Sequence, residues 1–219
     1  MSILKEGYPF IVPFKLTGLA LLAAAFLKIW PGEAGMPAFV FTACIVLGTL
    51  FVVFALFCAF FFRDPKIKIT QGDGIILSPC NGTVMEVAEE GNEKVIRVFL
   101  SIFSVHLQRS PAAGTVTGVV HKKGKFLAAW DPRAHVENEQ NVFTIQAEGG
   151  IVYTVRQIAG LVARRCVSWV KPGDVLKAGD KIGMIKFSSQ VDLHLPKDLT
   201  TSVNPGDKVK AGISIMAKK

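Results

Sequence analysis

Residues 37–62, PAFVFTACIVLGTLFVVFALFCAFFF, run for 26 positions without a single Asp, Glu, Lys or Arg. About 20 apolar residues cross the hydrocarbon core of a bilayer, so this stretch reads as a membrane-spanning helix. A second apolar stretch precedes it, residues 8–30, YPFIVPFKLTGLALLAAAFLKIW. It carries Lys15 and Lys28, which narrows its inserted part to Leu16–Leu27, with the lysine stems reaching out to the interface. A cleaved signal peptide would show a small-x-small site before any further apolar run, and here the second run follows at once. The two stretches therefore read as a transmembrane α-hairpin. The connector PGEAGM holds only an acidic residue, whereas Lys5 precedes the hairpin and Arg63, Lys66 and Lys68 follow it. The positive-inside rule then puts both ends, and everything after them, in the cytoplasm. This divides the chain into an anchor, residues 1–68, and a cytoplasmic domain, residues 69–219.

The net charge is +8. The basic residues are scattered and not interleaved with aromatics, which argues against a nucleic-acid platform. A domain tethered to an anionic leaflet gains from positive charge directly. Of four cysteines, Cys44 and Cys58 fall in the second span and Cys80 and Cys166 stand alone. Without a CxxC or a Cys/His cluster, neither a zinc site nor a disulfide framework has support, and no metal is expected.

From Asp73 onward the pattern is short and β-like. GIILSP, GTVMEVA, KVIRVFLSIF, GTVTGVVHKKG, NVFTIQAE and GIVYTVRQIAG are Val/Ile/Phe-rich runs punctuated by Gly, Pro and Asn. The spacing predicts a mainly β, barrel-like domain, with one helix around GLVARRCVSWV. An internal repeat, V-x-P-G-D-x-[VL]-K-A-G, occurs in residues 170–185 and again in 203–216. Each copy predicts a Pro-Gly turn, a short strand, a second Gly turn and another strand. The pattern resembles the hammerhead units of biotinyl/lipoyl-like barrels, which host unrelated functions.

Between the two copies lies KFSSQVDLHLP, with Ser188 and Ser189. A serine pair is usually a polar turn. Two other stretches carry candidate chemistry: SIFSVHLQRSP, with His106 and Arg109, and SPCNGTV, with Asn81 at its apex. Each has a bland reading as a satisfied core histidine or an Asn-Gly turn.

In order along the chain, the hydrophobic hairpin, SPCNG, FLSIFSVHLQRSP, GKFLAAWDPRAHVENEQN, QIAGLVARRCVSWVKPGD, IGMIKFSSQVDLHLP and NPGDKVKAG resemble the short, membrane-anchored phosphatidylserine decarboxylases over nearly the whole length. The resemblance leaves open the related archaetidylserine as substrate. It implies a proenzyme in which the Ser189 hydroxyl attacks the preceding carbonyl. The chain would part between Ser188 and Ser189 into a β chain (1–188) and an α chain (189–219) that starts with a covalently bound pyruvoyl group. That group would form a Schiff base with the headgroup amine of phosphatidylserine and act as the electron sink for loss of CO2, leaving phosphatidylethanolamine. His106 would serve as proton carrier in both processing and decarboxylation, with Asn81 positioning it. Arg109, Arg164, Arg165, Lys122, Lys123 and Lys125 are candidates for the lipid phosphate and carboxylate; Glu137 and Glu139 would lie near the headgroup. Implied partners are a phospholipid in the cell membrane, the two chains of one precursor, and a second copy in a homodimer.

Three positions depart from the family pattern. Ser188 stands where Gly is usual, Asn81 where Asp is usual, and Arg109 where the long forms carry a second His. An amide can orient a neighbour but cannot accept a proton, so a homologue that fails to cleave itself is the main rival. A zinc peptidase of the lysostaphin type is disfavoured because DLHL has one His where H-x-H is needed. A lipoyl-type carrier would need a lysine where the serine pair stands.

Overall fold

The computed structural model describes residues 2–27, 35–128, 131–147, 150–161, 165–186 and 189–219. The chain forms two compact units, Met1–Pro65 and Lys66–Lys219. In the first, helices α1 (Tyr8–Phe26) and α2 (Ala38–Phe61) are both long and apolar enough to span a bilayer. Helices suit that setting because every backbone polar group is satisfied within the segment. They touch where neither has a side chain. A Cβ on Gly18 would lie 2.8 Å from the Gly48 carbonyl oxygen, and one on Gly48 would lie 3.0 Å from that of Gly18. Small residues are what lets two helix backbones come this close. A two-residue pairing of β1 (Ser2–Ile3) with β2 (Arg63–Asp64) joins the ends of the unit. Arg63 donates from Nη1 to the Phe60 carbonyl (2.7 Å) and lies over the Phe60 ring, closing the C-terminus of α2.

The second unit is β-rich, as its Val/Ile/Phe runs predict. Its first six strands are β3 (Ile75–Leu77), β4 (Gly82–Glu90), β5 (Glu93–Leu100), β6 (Leu107–Arg109), β7 (Gly114–Lys122) and β8 (Gln140–Ala147). A single helical turn, α3 (Ala134–Glu137), precedes β8. There follow β9 (Val152–Ala159), β10 (Cys166–Ser168), β11 (Val175–Leu176), β12 (Lys181–Ile185) and β13 (Ser189–Pro196). The chain closes with β14 (Thr200–Thr201), β15 (Lys208–Val209) and β16 (Ile215–Lys218). Eight strands form one curled antiparallel sheet in the order β11-β7-β8-β9-β13-β5-β4-β15. Two three-stranded sheets, β10-β12-β6 and β14-β16-β3, complete the unit. The concave face buries Ile96, Val98, Phe143, Val155, Val191 and Leu193 in one core.

The predicted repeat is visible in the backbone. Each copy turns at Pro-Gly, with φ +94° at Gly173 and +95° at Gly206, the left-handed value a type II turn requires. The following aspartates close these turns: Lys171 N–H donates to Asp174 (2.9 Å) and Asn204 N–H to Asp207 (2.8 Å). The copies supply the two edges of the large sheet, β11 on β7 and β15 on β4.

A second repeat, unnoticed in the sequence reading, explains this pairing. Ser-Pro-x-x-Gly-Thr-Val occurs at 78–84 and at 110–116. Each instance grips one copy of the longer repeat. Ser78 bonds Ser214 and Gly212 through the main chain, as Ser110 bonds Asp180 and Gly179. Val84 is likewise tied to Asp207 and Gly206, as Val116 is to Asp174 and Gly173. The halves also clasp each other reciprocally. Leu77 N–H donates to the Pro111 carbonyl (2.9 Å), and Arg109 N–H donates to the Pro79 carbonyl (2.8 Å). The unit is thus two similar halves related by an approximate two-fold, with β9 and β13 adjacent at the centre of the sheet.

The helix expected around GLVARRCVSWV does not form over Cys166–Ser168. That stretch is β10, paired with Gly183–Ile185 of β12, and β-branched Val167 suits a pleated strand better than a helix. Residues 162–164, including Arg164, lie outside the described residues.

The glycines of the shorter repeat have no room for a side chain. A Cβ at Gly82 would fall 2.2 Å from the Phe99 carbonyl oxygen, and one at Gly114 would fall 2.4 Å from that of Gln146. Gly82→Ala and Gly114→Ala are each expected to destabilise this unit by about 2–4 kcal/mol. Gly118→Ala, whose Cβ would meet Thr144 at an ordinary 3.7 Å, should stay within about 0.5 kcal/mol. Denaturant unfolding of the three variants in detergent checks the ranking.

Candidate active site

Ser189 opens β13, the strand at the centre of the large sheet. It pairs with Leu100 of β5 on one side and with Ala159 of β9 on the other. Alternation along the strand puts it on the inward face with Val191 and Leu193, and it is fully buried. Its hydroxyl oxygen has no hydrogen-bond partner among the described residues. A buried hydroxyl in that state costs about 1–3 kcal/mol. Ser188, the other half of the pair, lies outside the described residues.

Two connections bring His106 to the same end of the sheet. The chain leaves β5 at Leu100, Ser189's partner, and reaches His106 six residues later. There the His106 carbonyl accepts from Ile185 N–H (3.2 Å), at the end of β12. Ile185 and Ser189 are four residues apart, a reach of at most about 14 Å. The imidazole is buried, and its Nδ1 lies 3.0 Å from the Ser104 carbonyl oxygen. A carbonyl can only accept, so in the neutral ring Nδ1 carries the proton and Nε2 the lone pair.

Asn81 belongs to the turn before β4, where Thr83 pairs with Phe99, so it too stands at this end. Its side-chain oxygen accepts from Ala211 N–H (3.1 Å), which ties the turn to the second copy of the repeat. Arg109 donates from Nη1 to the Gly179 carbonyl (2.9 Å) in the first copy. Glu139 is half-buried, and its carbonyl accepts from Ala159 N–H (2.9 Å), one strand from Ser189. Arg165 is exposed, and its carbonyl accepts from Lys186 N–H (3.2 Å). Lys125 is paired with Glu137 at 2.7 Å on the exposed side of α3. The structure therefore gathers Ser189, His106, Asn81 and Glu139 toward one end, with Arg165 at its edge, and gives Arg109 and Lys125 partners of their own.

Sequence reasoning missed a buried amide chain that ends on His106. His121 Nδ1 lies 2.8 Å from Asn141 Oδ1; Asn141 Nδ2 donates to Gln157 Oε1 (2.9 Å); Gln157 Nε2 donates to Gln108 Oε1 (2.7 Å). Gln108 Nε2 then donates to the His106 carbonyl (2.9 Å). Gln108, Asn141 and Gln157 are all buried. Gly183 makes the crossing from β9 to β6 feasible, since a Cβ there would lie 2.7 Å from Gln157 Nε2. The one available signal was the run of amides at 108, 140, 141 and 157 on otherwise apolar strands.

The outer face of β13 is also polar and buried. Asp192 faces Arg97, whose guanidinium is 3.6 Å away and also pairs with Glu86 (2.5 Å) and Glu90. Burial pushes the Asp192 carboxyl up to about 6; the Gln190 amide, donating at 2.6 Å, and Arg97 oppose that rise. Gln190, next to Ser189, lines an opening of about 660 Å³ together with Arg97, Glu86, Glu90, Asp131 and His135.

A sequence profile described as phosphatidylserine decarboxylase matches residues 54–217. A phosphatidylserine decarboxylase proenzyme of Solibacter usitatus is 41% identical over 201 residues, covering 92% of each chain. One of Symbiobacterium thermophilum is 39% identical over 223 residues, covering 99% of this chain and 95% of its own. One of Nitratidesulfovibrio vulgaris is 38% identical and spans 100% of this chain and 95% of its own. The chain belongs to the phosphatidylserine decarboxylase family. It is the short form of that family, whose proenzymes convert one of their own serines into a pyruvoyl group by self-cleavage. In this phosphatidylserine decarboxylase Ser189, whose hydroxyl has no hydrogen-bond partner among the described residues, and the buried ring of His106 lie toward the same end of the large sheet.

The sign of the Asp192 effect is opposite to that of a surface carboxylate. Its value is raised from 3.8 to about 6, so its contribution to stability is complete below about pH 4 and is lost as pH rises through about 6. Asp192→Asn is therefore expected to be more stable than the parent at pH 8, by up to about 2–3 kcal/mol. The gap should close by about pH 4. Thermal unfolding of both proteins across that range provides the measurement.

Proposed function

We propose that Ser189 is the serine from which this phosphatidylserine decarboxylase proenzyme makes its pyruvoyl group, and that the chain parts between Ser188 and Ser189. The observation that carries the assignment is the buried Ser189 hydroxyl at the head of the central strand, without a hydrogen-bond partner among the described residues. A structural serine at that depth would be hydrogen-bonded; a nucleophile awaiting a proton acceptor need not be.

In this reading His106 takes the hydroxyl proton on Nε2, its Nδ1–H being held by the Ser104 carbonyl. The Ser189 oxygen attacks the Ser188 carbonyl carbon, the Ser188–Ser189 amide C–N bond breaks, and an ester replaces it. Loss of the Ser189 α-proton then breaks the Cβ–O bond. Ser188 leaves as a carboxylate holding the former hydroxyl oxygen, and the remaining dehydroalanine loses ammonia to water. The products are a β chain, residues 1–188, and an α chain, residues 189–219.

The pyruvoyl group supplies an electrophilic carbonyl and an electron sink for release of CO2 from the serine headgroup, which turns phosphatidylserine into phosphatidylethanolamine. The site's own residues do the rest. His106, oriented through its carbonyl by Gln108 and through Nδ1 by Ser104, returns a proton to the headgroup α-carbon. Asn81 holds the neighbouring turn to Ala211, a positioning role that an amide oxygen fills as well as a carboxylate. Arg165 would meet the lipid phosphate and Glu139 the headgroup amine. Lys125 and Arg109 would reach the substrate only by giving up Glu137 and Gly179.

Further parts of this reading follow from the sequence. The two clasped halves are the hammerheads of a biotinyl/lipoyl-like barrel. The N-terminal hairpin anchors the enzyme, with residues 69–219 on the cytoplasmic side, as Lys5, Arg63, Lys66 and Lys68 favour.

Intact mass and denaturing electrophoresis test the assignment. The parent is expected as two fragments split before residue 189, the smaller lacking a free amino terminus. Ser189→Ala should remain one full-length chain, and so should His106→Ala. Ser188→Gly should mature faster, since glycine adopts the strained backbone an acyl shift needs at no steric cost. A parent chain that stays whole under all conditions, or a Ser189→Ala chain that still splits, overturns the assignment.

A further inference from the structure

Ser189 is flanked by two strands, and beyond it each of them leads to exposed apolar side chains. Past Leu100, its partner in β5, the loop at 101–105 presents Ile102 at 39% and Phe103 at 65% exposure. Past Ala159, its partner in β9, Leu161 is 61% exposed. Among the described residues, Phe103 is the only exposed aromatic side chain of the unit Lys66–Lys219. The other exposed large apolar residues there are valines, Met85 and Ile213, none within five residues of either loop tip.

Cations shoulder these tips. Arg165 is exposed four residues after Leu161, and its carbonyl accepts from the N–H of Lys186, three residues before Ser189. An apolar rim with Lys and Arg just behind it is the composition of a surface that sinks into the headgroup boundary of a bilayer, the stems lying along the acyl region and the charges among phosphates. The site behind the rim is buried, whereas the acyl chains of a two-tailed lipid stay in the membrane. The reacting headgroup can reach Ser189 at low cost only if the rim itself meets the interface.

We propose that the rim formed by Ile102, Phe103 and Leu161, with Arg165 and Lys186, docks into a bilayer bearing anionic phospholipid and delivers the headgroup to Ser189. The proposal rests on the phosphatidylserine decarboxylase reading of the site and adds the surface through which that substrate enters. The rim supplies positive charge to a substrate headgroup that is negative overall, and its apolar tips replace contacts with water by contacts with acyl chains.

Two measurements on the full chain in proteoliposomes test it. The first places the photoreactive analogue p-benzoylphenylalanine at position 103, in vesicles of phosphatidylcholine and phosphatidylserine, and reads adducts by mass. Phospholipid adducts on the fragment bearing residue 103 are expected. Adducts confined to a second copy of the chain, or none with lipid, overturn the proposal, whether or not the chain has matured. The second compares the triple variant Ile102→Ser, Phe103→Ser, Leu161→Ser with the parent. Its kcat/KM on vesicle phosphatidylserine should fall about tenfold or more, while turnover of a short-chain, water-dispersed phosphatidylserine stays near the parent's. Equal activity of the two proteins on vesicles overturns the proposal. A parent inactive on both substrates would instead count against the reading of the site, which keeps the two failures apart.

Discussion

Four main-chain groups hold the catalytic unit together. Leu77 gives its N–H to Pro111 and Arg109 gives its N–H to Pro79, so each half of the unit closes the other. Prolines lend themselves to this exchange. They have no N–H of their own to place and offer only a carbonyl. Around this clasp the two Ser-Pro-x-x-Gly-Thr-Val stretches each seize one Pro-Gly-Asp repeat, and the repeats in turn form the edges of the large sheet. Capping both edges with the chain's own strands leaves the centre to β9 and β13, and β13 is buried on both faces.

In the proposed reading, that centre is where the chemistry takes place. An acyl shift in the backbone requires a hydroxyl held against its own peptide bond, away from competing water. The position of Ser189, between Leu100 and Ala159 and without a hydrogen-bond partner among the described residues, provides that isolation. The cost of an unpaired hydroxyl is local, and beside it the amide chain from His121 to Gln108 ends on the His106 carbonyl. Buried amides of this kind are stabilising only when every member is satisfied, which here depends on strand register and on Gly183 leaving space.

Some of this was legible in the chain. The two apolar helices announce themselves through length and lack of charge, and the Pro-Gly-Asp repeat through its spacing. The proposal of Ser189 and His106 comes from the order of several separated blocks rather than from any one of them. Over Cys166–Ser168 the helix expected from GLVARRCVSWV gives way to a strand because intrinsic preference in a short run yields to pairing with β12. The shorter repeat is hard to see in the chain because SPCNGTV has a chemical side chain at Asn81, while RSPAAGTV, with none between its serine and its glycine, resembles an ordinary turn. Arg109 and Lys125 read as cations for a lipid, yet each has a local acceptor, Gly179 or Glu137, that no linear pattern reveals.

The sequence by itself determined the kinds of elements, because hydrophobic length, glycine at left-handed turns and alternation along strands are local physics. Only the tertiary structure decided which faces are shared. That Leu100 and Ala159 flank Ser189, that Gln108, Asn141 and Gln157 converge behind His106, and that Phe103 and Leu161 rise on either side of one strand all follow from register across strands distant in the chain. A shift of one residue in the pairing of β13 with β5 and β9 would turn the serine outward.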